Sequence, residues 1–214
     1  MIEDHYISIT EPSTGLYREK GSKFLAYAYP VSTEEDLLNH IDLLKKSHPK
    51  ARHYCYAYRL GAGTDVFRAN DDGEPSGTAG RPILGAIDSA GLSDIAVVVV
   101  RYFGGTKLGA SGLIQAYKKA AVDSLNACDK KDVYITEECK LSFDYGHMGI
   151  IMDVLKHLEI EISEKVLTES PYFILAIRAS MFHDKIRLIK ARLLNRNAED
   201  INEDTIIPYC TFEL

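Results

Sequence analysis

The chain has 214 residues, 46% hydrophobic and 26% charged, with a formal net charge of −6. A disordered chain would carry far fewer apolar residues, and a general duplex-DNA binder would be basic, so this composition excludes both. The longest apolar run, Ile95–Val100, falls far short of the roughly 20 residues of a membrane helix, and the opening MIEDHYISIT has neither a basic stretch nor an apolar one, so no signal peptide and a cytoplasmic location are expected.

TGLYREKGSKFLAYAYPV alternates aromatic and apolar residues around a turn at Gly21. The pattern predicts a β-hairpin with Phe24, Ala26 and Ala28 on one face and Leu25, Tyr27 and Tyr29 on the other. STEEDLLNHIDLLKKSHP predicts a helix capped by Ser32 or Thr33. Glu34, Glu35 and Asp36 suit its positive end, Lys45 and Lys46 its negative end, and Pro49 follows the stop. RHYCYAYRLG predicts a strand with Tyr54, Tyr56 and Tyr58 on one face and His53, Cys55 and Ala57 on the other.

The turn-rich ANDDGEPSGTAGRP follows, then a short helix from near Thr78 through Ile83–Ala90. DIAVVVVRYF predicts a central strand buried on both faces. GGTKLGASG is a glycine-rich loop, and LIQAYKKAAVDSLNAC is a helix. Near residue 130 the charged CDKKDVYITEEC suits a linker. Beyond it the pattern reads β-α-β-β-α-β: strands about Cys139–Asp144, Ile160–Leu167, Tyr172–Ala179 and Ile206–Phe212, helices about His147–His157 and Phe182–Leu194. This is the ferredoxin-like order. Residues 1–135 hold 16 Lys and Arg against 17 Asp and Glu, net −1; residues 136–214 hold 9 against 14, net −5. An anion-binding surface is therefore expected in the first part, and the acidic second part suits docking of a basic protein partner.

Two segments carry candidate chemistry. In VVVVRYFGGTKLGASG a buried strand delivers Arg101 to a loop containing Gly104 and Gly105, with a helix start just beyond. Exposed helix amides with Arg101 and Lys107 make an anion site, and Tyr102 and Phe103 suit stacking on a base. The segment is neither a Walker A loop nor a GxGxxG fingerprint, and a purely structural turn is the competing reading. In NDDGEPSGTAGRP, Asp71, Asp72 and Glu74 suit either a divalent-cation loop or an Asp-Gly turn followed by a Thr78 cap. Ser76, Thr78 and Arg81 are candidate surface contacts. GxSxG and HExxH are absent, so no catalytic residue is assigned. The four cysteines show no CxxC pair and read as reduced thiols; His53 and Cys55, two apart, are too few ligands for zinc. No metal or cofactor is expected.

HYCYAY (53–58), DGEPSGTAGRP (72–82), and VRYFGGTKLG (100–109) leading into GLIQAY (112–117), with KGSKF at 20–24, resemble the IMPACT/YigZ family over residues 15–125. The RYFGG segment is the most specific of these. The resemblance implies an α+β protein with an IMPACT-type N-terminal domain over residues 1–132, like domain IV of elongation factor G. It implies a ferredoxin-like domain over residues 133–214, like domain V of that factor. Eukaryotic relatives regulate translation under amino-acid starvation by competing for the activator of an initiation-factor kinase. They do so partly through a domain that this chain is expected to lack. The expectation is a regulator binding RNA or the ribosome through Lys20, Lys23, Arg81, Arg101, Tyr102, Gly104, Gly105 and Lys107. The alternatives are a protein-interaction module, or a hydrolase using Asp72, Glu74 and Arg101.

Overall fold

The computed structural model describes residues 4–213 apart from Thr64 and Glu203. Met1–Glu3, part of the opening read for a leader, lie outside the described residues. His5–Val133 forms one compact unit, and Tyr134–Leu214 forms another, to which Asp4 belongs.

The first unit runs β1 (His5–Ile9), β2 (Ser13–Glu19), β3 (Ser22–Pro30), α1 (Glu34–Ser47), β4 (His53–Leu60), β5 (Val66–Asn70), α2 (Gly80–Ala90), β6 (Ile95–Tyr102), α3 (Gly109–Asn126) and all but the last residue of β7 (Lys130–Tyr134). Its main sheet has the order β2-β3-β6-β4-β5, antiparallel throughout. Lys20 and Gly21, both at positive φ (45° and 81°), make the two-residue turn between β2 and β3. Left-handed values at both turn positions match the right-handed twist of the flanking strands.

Strand alternation sorts two cores. Phe24, Ala26, Cys55, Ala57, Val97 and Val99 face α2 and α3. Tyr54, Tyr56, Tyr58, Ala96, Val98 and Val100 face α1 through Leu37, Ile41 and Leu44. The central β6 is therefore buried on both faces, as its unbroken apolar run requires. Thr33, not Ser32, caps α1: its hydroxyl accepts the Asp36 N–H, and the Asp36 carboxylate accepts the Thr33 N–H. That reciprocal box satisfies two otherwise orphaned donors.

Three expectations change. Lys130–Tyr134 is not a linker but a strand paired with β1. Its partner lies more than a hundred residues upstream, so no local pattern announces it. Helix α3 begins at Gly109, which makes GASG its first turn rather than loop. Helix α2 has Ala79 as its N-cap with no side-chain cap bond, so Thr78 is not the cap.

The second unit runs β8 (Thr136–Phe143), α4 (Met148–His157), β9 (Glu161–Val166), β10 (Tyr172–Arg178), α5 (Phe182–Leu194) and β11 (Cys210–Glu213). The strands form an antiparallel sheet in the order β11-β8-β10-β9. Cys139, Leu141, Phe173 and Leu175 alternate onto the face that α4 and α5 cover with Ile151, Leu155, Ile186 and Ile189. Among the described residues no helix is long and apolar enough to cross a membrane.

Candidate functional site

Alternation along β6 puts Arg101 on the same face as Val97 and Val99, in register with Phe24 of β3 and His53 of β4. Its guanidinium lies 5.5 Å from the Phe24 ring centre and 5.6 Å from that of Phe103. Nη1 donates to Glu74 Oε1 at 2.5 Å, and the Tyr117 hydroxyl of α3 donates to the same oxygen at 2.8 Å. The Cys55 thiol lies 3.3 Å from that hydroxyl and 3.0 Å from the Asp71 carbonyl. Arg101 is 7% exposed, Glu74 8%, and Cys55 and Tyr117 are sealed. Burial, reinforced by Glu74, pushes the Tyr117 hydroxyl and the Cys55 thiol far above their ordinary ranges. The phenol therefore keeps its proton and donates a hydrogen bond to the carboxylate.

The two sequence-selected segments thus converge, but inside the core. Arg101, expected as a surface cation, is held by an internal carboxylate, because a strand end covered by Phe103 and α3 leaves a guanidinium little water. Glu74 is its partner rather than a ligand group. Among the described residues Arg101 Nε has no hydrogen-bond partner, so the guanidinium is only partly satisfied there.

The rest of the acidic loop is also turned inward. The Asp71 carboxylate accepts the N–H groups of Gly77, Ala79 and Gly80 at 2.8, 2.9 and 2.9 Å. Desolvation alone would raise its pKa; the three amides outweigh this and hold it below the usual carboxylate range. Asp71 therefore caps α2 from outside the helix. The Asp72 carboxylate accepts the Tyr54 N–H at 2.6 Å, and its carbonyl meets His53 Nδ1 at 2.7 Å. Buried Thr78 donates to the Pro75 carbonyl at 2.6 Å. Asp72, Glu74 and Thr78 thus hold the loop's shape, whereas Ser76 and Arg81 remain exposed. Among the described residues no cluster of three or more His, Cys, Asp or Glu is arranged to hold a metal.

What faces solvent is a backbone edge. A Cβ on Gly104 would sit 2.0 Å from Gly21 C and 2.2 Å from Ser22 N, and its N–H donates to the Ser22 hydroxyl at 3.1 Å. Only glycine lets the Gly104–Lys107 loop lie flat on the Lys20-Gly21 turn. Lys20, Lys23, Gly104, Gly105 and Lys107 are all exposed along this edge, with Phe103 beside them. Helix α3 follows at once, and among the described residues no side chain caps its first turn. Tyr102 points to the opposite face, one residue out of phase with Arg101, so it does not join Phe103 as a stacking surface. Its hydroxyl is 2.9 Å from His48 Nδ1, and His48 Nε2 is 2.8 Å from the Tyr27 hydroxyl.

Tyr117, Cys55 and His48 carry this polar framework, and the sequence did not single them out for it. Tyr117 lies on the apolar stripe of α3 with Leu113, Ala116 and Ala120, which is the signature of a core aromatic. Nothing local points to its hydroxyl's partner 43 residues away.

The Impact N-terminal domain model matches residues 20–125. The IMPACT family member YvyE of Bacillus subtilis strain 168 is 40% identical over 152 residues, covering 71% of this chain and 70% of that protein. An IMPACT family member of Thermus thermophilus is 40% identical over 156 residues, covering 73% of this chain and 84% of that protein. A crystal structure of a hypothetical protein superposes with a TM-score of 0.74 at 26% identity, covering 95% of this chain and all of that one.

Proposed function

This chain belongs to the IMPACT family, and we propose that it is a translation-related regulator that contacts RNA or the ribosome through the exposed edge of its first unit. The observation that carries the reading is the seating of Gly104 on Gly21. It merges Lys20 and Lys23 from one hairpin with Gly105 and Lys107 from another loop, beside an uncapped helix start. Backbone amides and lysines in that arrangement suit phosphate oxygens, and exposed Phe103 suits a stacked base. Arg101 acts from behind, tying the loop to Glu74, and exposed Arg81 is a further candidate contact. The fold reading belongs with this: a first unit like domain IV of elongation factor G, a ferredoxin-like second unit like its domain V, and a cytoplasmic setting. A hydrolase built on Asp72, Glu74 and Arg101 is not favoured, because Tyr54 and the buried ion pair already occupy those groups.

The test is fluorescence anisotropy with a ribosomal RNA hairpin, together with ribosome co-sedimentation, across a salt series. Three lysine contacts predict a log–log salt slope of about −2 to −3. The triple variant Lys20→Glu, Lys23→Glu, Lys107→Glu is expected to weaken binding at least about tenfold. Absence of association at low salt, or an unaffected triple variant, refutes the reading.

A further inference from the structure

The guanidinium of Arg101 is half-used. The residue is 7% exposed and its Nη1 donates to Glu74, yet among the described residues its sealed Nε has no hydrogen-bond partner. Nε shares one edge of the planar group with Nη2, and Nη1 lies off that edge. Two other arginines show what this edge takes. Arg59 sets Nε and Nη2 on the Asp88 carboxylate at 2.8 and 2.6 Å, and Arg178 sets them on that of Asp4 at 2.6 and 2.7 Å. On Arg101 the same edge meets no oxyanion among the described residues. An unfilled fork in a core loses stability that two ligand oxygens would restore.

We infer that this edge receives a phosphodiester of single-stranded RNA, with the adjoining base stacked on Phe103. The site presupposes the RNA contact proposed above and narrows it to unpaired nucleotides. The guanidinium lies 5.5 Å from the Phe24 ring centre and 5.6 Å from that of Phe103. Phe24 is sealed and Phe103 is 59% exposed, so the way from water to Arg101 passes Phe103. Rotation of that ring uncovers the fork and offers a face to a base. A phosphodiester brings two free oxygens and one negative charge, which matches a two-donor edge. Arg101 and Glu74 already cancel, so the enclosed space suits one charge better than the two of a phosphate monoester. A lone carboxylate would fill the fork but would use neither Phe103 nor the exposed Lys20, Lys23 and Lys107 along the same edge. Those suit a repeating anion that carries flat bases. Duplex RNA keeps its bases inside the stack, away from Phe103.

The experiment measures the anisotropy of labelled RNA of about twelve nucleotides, as single strand and as duplex, with the full chain at one low salt concentration. Proton–nitrogen NMR follows the Arg101 Nε–H signal through the same titrations. The single strand is expected to bind at least about tenfold tighter than the duplex and to move that signal, which the duplex leaves in place. Phe103→Leu, at an exposed position, is expected to weaken the single strand about tenfold and leave the duplex unchanged. Arg101→Lys keeps a cation for Glu74 but has no fork, and is expected to weaken the single strand about tenfold. Equal affinity for the two forms, or an Nε–H signal unmoved by saturating single strand, overturns the site while lysine-dependent binding keeps the RNA reading standing. Absence of all RNA association removes both. The NMR titration of the unmutated chain and Phe103→Leu decide the matter even where Arg101→Lys disturbs folding.

Discussion

Replacing Arg101 with methionine removes the cation from a pair whose side chains are 8% and 4% exposed. Among the described residues Glu74 then keeps only the Tyr117 hydroxyl, inside a core built from Phe24 and α3. Breaking a buried pair from one side leaves an uncompensated charge and costs about 3–5 kcal/mol. The native pair is itself imperfect, since Arg101 Nε lacks a partner among the described residues; one unmade buried hydrogen bond costs roughly 1–3 kcal/mol. Removing the whole network should therefore be far milder than removing half of it. The triple variant Arg101→Met, Glu74→Leu, Tyr117→Phe is expected within about 2 kcal/mol of the parent. Urea unfolding followed by circular dichroism reads both, and the Arg101→Met, Glu74→Leu cycle should give a coupling of about 2 kcal/mol or more. If Arg101→Met costs under about 1 kcal/mol, or the cycle is additive, the buried pair does not hold these loops together and the account of the site fails.

Gly104→Ala is expected to cost about 1–3 kcal/mol by forcing the Lys20-Gly21 turn off the loop, and to weaken RNA binding with it; Gly105→Ala, where the added Cβ meets nothing, pays only for its positive φ, about 1 kcal/mol. Asp71→Asn exchanges one amide acceptor for a donor facing Gly77 N–H and should destabilise by about 1–3 kcal/mol near neutrality. Because the folded state depresses the Asp71 pKa, its contribution is present above the unfolded value of about 3.9 and fades as pH falls below it, so parent and variant should converge in acid urea melts; a constant gap down to the acid limit refutes the clamp. Burial pushes Cys139 and Cys210 up to about 11 and Cys55 higher still, so native alkylation near pH 8 should label at most Cys128 quickly, all four reacting in urea by intact-mass analysis.

Several elements were legible because their information is local. The period-2 alternation of residues 24–29 and 54–58 assigned every side chain to the face it occupies, since a strand allows no other phase. Ser32 or Thr33 followed by Glu34, Glu35 and Asp36 marked the start of α1, and the unbroken run at 95–100 marked the central strand. In the second unit, apolar spacing gave the order of strands and helices, with ends displaced by a few residues.

Residues 66–70 and 130–134 escaped because exposed Val66 and Phe67, and charged Lys130 and Lys131, show no buried face. Their strand state is conferred by partners at 56–60 and 5–9. The fates of Arg101 and Asp71 were likewise undecidable in one dimension. A sequence shows that a guanidinium and three carboxylates exist, but whether they meet solvent or one another depends on chain segments that only folding brings within hydrogen-bond reach. Local periodicity fixes which way a side chain points, and the tertiary structure alone fixes what it meets there.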